Sequence, residues 1–305
     1  MYGQLVVTDG LDGDAMTLWT VIATIWLFAL LLYLLRRYLS TLPLPFKSRR
    51  SHPSVTPLEL SKFAQDSSPK LSTTHISLAT QRHKPVRLVC ISDTHGFEAE
   101  LTTLPRGDVL LHCGDFACTP RFDGRTVDAA QKQFDQWLAA QPHTHKVVIA
   151  GNHDPPHAEF PRSGALYVGA GARSVDVGGV TLALVPWFRE RSKTSGRHGQ
   201  VTATKHRYKH FALPRGDVLV THSPPHRVLD RCGNGERAGS SYLYNLVQRA
   251  ERKPALWLCG HIHEDRGAAS VVFEGGENAT VVVNAANANS GIARRLVHGA
   301  VVIDL

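Results

Sequence analysis

The chain has 305 residues, 43% of them hydrophobic, which is material for a sizeable core and room for one large domain with appendages. Its formal net charge of +8 at pH 7 comes from basic residues that are scattered or sit in linker-like stretches, so no specific nucleic-acid partner is expected. The five cysteines (90, 113, 118, 232 and 259) include no Cys-x-x-Cys pair; odd in number, with Cys90, Cys113 and Cys259 in apolar runs, they read as reduced thiols rather than a disulfide framework.

Residues 17–35 (TLWTVIATIWLFALLLYLL) carry no charge. As a helix they would span about 28 Å, close to the hydrocarbon thickness of a bilayer. A cleaved signal peptide would want basic residues ahead of the run, whereas Asp9, Asp12 and Asp14 precede it. Arg36, Arg37, Lys47, Arg49 and Arg50 follow it. The expectation is a single-pass transmembrane helix embedded in the lipid bilayer, after a short acidic tail (1–16). The remainder of the chain is expected to face the cytosol, the membrane's organelle being left open. Residues 36–84, basic and rich in Ser, Thr and Pro, read as a flexible tether.

From residue 85 onward, apolar runs alternate with polar and helical stretches. Strands are predicted at 88–91, 108–113, 145–150, 180–185, 217–220, 255–259, 270–273, 280–283 and 300–303. Val127, Ala130, Phe134, Trp137 and Leu138 recur at helical spacing, and residues 240–252 also read as helix. This is an α/β pattern. Five of the strands end in polar residues: Ser92-Asp93-Thr94-His95, Gly114-Asp115, Gly151-Asn152-His153-Asp154, Thr221-His222-Ser223-Pro224-Pro225 and Gly260-His261-Ile262-His263. The carboxyl ends of strands in open α/β sheets converge on one crevice, so residues some 170 positions apart can meet there. Imidazoles mixed with carboxylates suit Mn, Fe, Zn or Ni better than Ca. The set Asp93, His95, Asp115, Asn152, His153, His222, His261 and His263 exceeds what one tetrahedral ion needs, so two divalent ions sharing a carboxylate are expected.

In that order, DTH, GD, GNHD, THSPP and GHIH resemble the motifs of the calcineurin-like metallophosphoesterase superfamily, over roughly residue 87 to the carboxyl terminus. HCGDF, THSPP and GHIHE look most like its small metallophosphoesterase-domain-containing group, related to class III cyclic-nucleotide phosphodiesterases. The resemblance implies a four-layer α/β/β/α sandwich with a dinuclear centre at the strand ends. It implies that Asp93, His95 and His263 hold one metal, that Asn152, His222 and His261 hold the other, and that Asp115 and a hydroxide bridge them. It casts His153 as the residue that stabilises the developing charge or protonates the leaving alkoxide.

Protein Ser/Thr phosphatases of the superfamily carry Asp-Arg-Gly shortly after GD, and here the run is Gly114-Asp115-Phe116-Ala117-Cys118-Thr119-Pro120-Arg121. The missing acid favours a small phosphoester, foremost a phosphodiester, as substrate. The alternatives are a phosphomonoesterase or protein phosphatase on the same scaffold, and a non-catalytic membrane-tethered scaffold. His112 and Asp154 read equally as supports of the site or as plain strand and turn residues; Asn284 and Asn287 read as crevice lining or as turn formers. The basic segment 188–210 is a solvated loop by default and a phosphate-attracting flap as the sharper alternative.

Overall fold

A computed structural model describes residues 30–31, 34, 54–58, 61–62, 71–78, 84–102, 104–117, 126–187, 212–276, 278–291 and 293–305. The chain divides into one unit up to His52 and a second, Pro53–Leu305. In the first, Leu30, Leu31 and Leu34 are helical. Among the described residues no helix is long and apolar enough to cross a membrane, and the rest of the 17–35 span lies outside them.

The second unit is built on fourteen strands among its described residues. In chain order they are β1 Ser54–Pro57, β2 Ser61–Lys62, β3 Thr74–Ser77, β4 Arg87–Ile91, β5 Val109–His112, β6 His145–Ile149 and β7 Leu166–Val168. Then come β8 Arg173–Val177, β9 Val180–Val185, β10 Val218–Thr221, β11 Leu256–Cys259, β12 Gly267–Val272, β13 Thr280–Asn284 and β14 Val301–Asp304. Two helices accompany them, α1 Val127–Ala139 and α2 Ser241–Arg249. Each starts on a hydroxyl cap: Thr126 accepts from Ala129 N–H, and Ser240 from Leu243 N–H.

The strands form two seven-stranded sheets, ordered β1-β12-β13-β11-β10-β9-β8 and β2-β3-β14-β4-β5-β6-β7. β4, β5, β6 and β7 run parallel in one sheet, and β9, β10, β11 and β13 run parallel in the other. Alternation along each strand explains why the apolar runs are unbroken. Leu88 and Cys90 of β4 point into the core between the sheets, with Leu111, Ile149, Leu182, Val220 and Leu258. Val89 and Ile91 point the other way, to a second core with Phe134 and Leu138 of α1. On the far face of the opposite sheet, Leu219 and Trp257 pack with Leu243 and Val247 of α2. The result is helix, sheet, sheet and helix in layers around three apolar cores.

Within 36–84, the stretch read as a tether, the described residues include three short strands. β1 pairs antiparallel with β12, β3 pairs parallel with β14, and β2 pairs with β3. Strand pairing at a sheet edge is made by backbone groups and needs no apolar run, so a polar Ser/Thr/Pro segment can join a sheet without announcing itself. The basic segment 188–210 lies outside the described residues.

Candidate metal centre

The five polar strand ends belong to β4, β5 and β6 of one sheet and β10 and β11 of the other. Parallel order within each sheet brings all five to the same end. There the backbone turns so sharply that Asp93, His95, Asp115 and His261 take positive φ angles of 56°, 48°, 60° and 71°. Non-glycine residues in this left-handed region are strained, and they persist where the surroundings over-determine them. Small residues make room: a Cβ at Gly114 (φ +105°) would meet His222 Nδ1 at 2.5 Å.

Two groups of donor atoms result, Asp93/His95/His263 and Asp115/His222/His261, each with its atoms within 4.8 Å of one another. In the first, His263 Nδ1–H donates to the Asn289 carbonyl at 2.8 Å. Its Nε2 is thereby turned inward, 3.3 Å from Asp93 Oδ1 and 3.3 Å from His95 Nε2. In the second, His222 Nδ1–H donates to the Cys113 carbonyl at 2.8 Å. Its Nε2 faces Asn152 Oδ1 at 3.1 Å and Asp115 Oδ2 at 3.6 Å. A backbone carbonyl on the far nitrogen is how an imidazole is fixed in the tautomer that ligates.

Electrostatics say what these clusters lack. Burial lowers the pKa of His222, but the charge of Asp115 and its hydrogen bond outweigh burial and push it up to about 9. Burial likewise lowers His263, and the hydrogen bond and charge of Asp93 reverse the shift, leaving it raised. Burial would raise Asp93; His263 holds it below the carboxylate range. His95 and His261 stay neutral, driven by burial to about 4 and about 3. Each cluster therefore favours added positive charge, since its carboxylate raises the pKa of one imidazole, His222 or His263.

The residues fit divalent ions. Asp93 Oδ1 is fully buried and has no hydrogen-bond partner beyond the His263 Nε2 contact at 3.3 Å, an unusual condition for a buried carboxylate oxygen. Imidazole nitrogens and carboxylate oxygens converge in both groups. The donor set, mixed imidazole and carboxylate, is one for transition metals.

His153 lies beside the second group. Its backbone N–H donates to Asp115 Oδ1 at 2.8 Å, and its Nε2 is 3.8 Å from Asp115 Oδ2. Burial lowers its pKa. The open assignments resolve as supports. The Asp154 carboxylate accepts from the backbone N–H of Asp115 (2.6 Å), Ala117 (2.9 Å) and Gly151 (2.8 Å), tying two strand ends together. His112 Nε2 meets Thr94 Oγ1 at 3.0 Å, and its Nδ1 accepts from Gly114 N–H at 3.2 Å. Asn287 accepts from Ser92 N–H and donates to the carbonyls of His298 and Gly299. Asn284 donates to the Ile262 carbonyl at 2.7 Å and so steadies the turn between His261 and His263.

Sequence reasoning missed two neighbours of the site. Trp187, half-buried just after β9, lays its ring against His261 (centroids 4.9 Å) and His222 (5.7 Å). Arg294 reaches in from the loop after β13, with NH1 3.0 Å from His153 Nε2 and 3.2 Å from His95 Nδ1. Neither belongs to a motif, and only the fold brings them near the histidines.

Paired sheets whose strand ends hold two adjacent cation-demanding clusters define the class, a metal-dependent hydrolase scaffold. Residues 86–265 match the model of the calcineurin-like phosphoesterase family, and the chain belongs to that family. It is 29% identical over 222 residues to a UPF0046 protein of Caenorhabditis elegans, covering 68% of this chain and 71% of that one. It is 30% identical over 233 residues to metallophosphoesterase domain-containing protein 1 of Homo sapiens, covering 65% of both. Its relatives place it in the small metallophosphoesterase-domain-containing group, and metal-dependent phosphoester hydrolysis is the chemistry its candidate site is equipped for.

Proposed function

We propose that the chain hydrolyses a small phosphodiester in this crevice, with Asp93, His95 and His263 holding one divalent ion and Asn152, His222 and His261 a second. Asp115 is shared between them. The observation that carries this reading is the pair of converged acceptor clusters, each with an imidazole locked by a backbone carbonyl. When bound, two such ions lower the pKa of a shared water and neutralise charge on the phosphoryl group. The chain itself does the rest. The strained strand ends hold the donors in place before substrate arrives, which removes reorganisation from the reaction. Asp154 fixes the backbone of Asp115, and Asp115 in turn anchors His153 through its backbone N–H. His153 faces the leaving oxygen, which it stabilises or protonates. The ions are drawn from Mn, Fe, Zn and Ni.

The diester preference rests on the absence of an Asp-Arg-Gly shortly after Asp115, where residues 116–121 carry no acid. The uncharged run 17–35, acidic before and basic after, supports a single-pass bilayer anchor that leaves the catalytic domain in the cytosol. Glycosylation-site tags at both termini test that topology; modification at the carboxyl-terminal tag contradicts it.

The activity test uses the full chain, stripped with a chelator and reloaded with Mn. Hydrolysis of bis-p-nitrophenyl phosphate and cyclic nucleotides in preference to p-nitrophenyl phosphate is the expected result. The reverse preference moves the assignment to a phosphomonoesterase. No hydrolysis of any of them by the fully loaded protein moves it to a non-catalytic scaffold.

A further inference from the structure

Arg294 and Arg295 are consecutive cations with opposite destinations. Arg295 turns outward, pairs with Glu100 and lies over the Phe97 ring, 5.0 Å from its centroid. Arg294 turns inward and places its guanidinium against the two imidazoles of the crevice. It does so from a left-handed backbone conformation, φ 49°, the region that Asp93, His95, Asp115 and His261 also occupy. For a long side chain that conformation carries a cost, so the surrounding structure must impose it.

That structure is a braced loop. The Arg266 guanidinium is buried beneath it and donates to the carbonyls of Ala285, Ala286 and Gly299 at 2.7–2.9 Å. Asn289 N–H donates to the Arg295 carbonyl at 2.9 Å, and Arg294 N–H to the Gly291 carbonyl at 3.1 Å. Leu296 N–H donates to Glu100 Oε2 at 3.1 Å. Arg294 is thus held on both sides rather than carried on a free tip.

A guanidinium can only donate, so the hydrogen bond at 3.0 Å takes the lone pair of His153 Nε2. Its approach to His95 Nδ1 cannot be of equal quality, because that nitrogen also stands 3.3 Å from the Ala117 carbonyl and needs its proton there if Nε2 is to ligate. With cations bound at the neighbouring clusters, the guanidinium would be a like charge beside them. An anion between them resolves that repulsion, and the planar fork of arginine suits phosphoryl oxygens.

We propose that Arg294 is a substrate-binding residue that takes a non-bridging phosphoryl oxygen and, in doing so, frees the His153 Nε2 lone pair to take up a proton from solvent, which it then presents to the leaving oxygen. The inference rests on the phosphoester reading of the same crevice. Its test separates the two. In the full metal-loaded chain, Arg294→Gln should weaken inhibition by inorganic phosphate and raise KM for bis-p-nitrophenyl phosphate, each by roughly ten- to a hundred-fold. Bound metal should be unchanged, and Arg294→Lys should recover part of the loss. Arg252→Gln, an exposed pair with Asp217, is the neutral control. Wild-type phosphate affinity and KM in a folded Arg294→Gln overturn the proposal. A wild-type chain that binds phosphate through Arg294 but hydrolyses nothing retains the proposal and overturns the activity. Should the variant fail to fold, phenylglyoxal modification of the native protein decides: inorganic phosphate should protect Arg294, and modification at the same rate with and without phosphate overturns the proposal.

Discussion

His263 Nε2 stands 3.3 Å from Asp93 Oδ1, and the other nitrogen of the same ring is committed to the Asn289 carbonyl. Two acceptors thus face each other in a buried place, and only a cation between them makes the arrangement favourable. His263→Gln removes one of the two and should leave about one divalent ion per chain instead of about two, since Asp115, His222 and His261 form a separate group. Elemental analysis after desalting reads this directly, and an unchanged ion count contradicts it.

Loading with metal should release protons. His222 holds its proton up to a pH of about 9 in the metal-free protein because Asp115 outweighs burial, and a ligated imidazole must give that proton up. Apparent affinity should therefore rise as the pH rises toward 9 and level off above it. Calorimetric titrations at pH 7 in buffers of different ionisation enthalpy should show proton release; an enthalpy independent of buffer excludes it.

The metal-free protein should be acid-sensitive through buried neutral histidines. Burial drives His112 down to about 3, against about 6.5 in an unfolded chain. Between those values the unfolded state binds more protons than the folded state, so stability falls as the pH drops through that window. The slope for one such group is at most about 1.4 kcal/mol per pH unit. His112→Gln should flatten the fall in melting temperature between pH 6.5 and 4, and an unaltered slope contradicts this.

A chain beginning at residue 85 should be less stable than one beginning at residue 53. It loses β1 from β12 and β3 from β14, exposing the backbone edges of both partners. With net hydrogen bonds near 1 kcal/mol each, the melting temperature should drop by roughly 5–15 °C. Equal melting temperatures would show that these edge strands contribute nothing.

What could be read from the sequence follows what leaves a residue-level trace. β4, β5, β6, β10 and β11 were legible because each buries both faces and then stops at Asp, Asn or His beside a sharp turn. The short edge strands β1 and β3 leave no such trace, and β8 is exposed along much of its length, so its RSVDV pattern resembles a loop. Asp154 was visible next to Asn152 but its role was not, because its partners are backbone N–H groups. Arg294 and Trp187 were invisible as site residues. Their closeness to His153 and His261 depends on how loops fold back, which has no period and no motif.

The most direct test of a two-ion phosphoesterase centre is a paired measurement on wild type and Asp115→Asn, each stripped and reloaded with Mn: ions bound per chain and the rate of bis-p-nitrophenyl phosphate hydrolysis. Asp115 belongs to the Asp115/His222/His261 group and is the carboxylate proposed to serve both ions, so its loss should reduce ion binding and lower kcat/KM by at least roughly a hundred-fold. An Asp115→Asn protein that binds two ions and hydrolyses the diester at the wild-type rate would contradict the account.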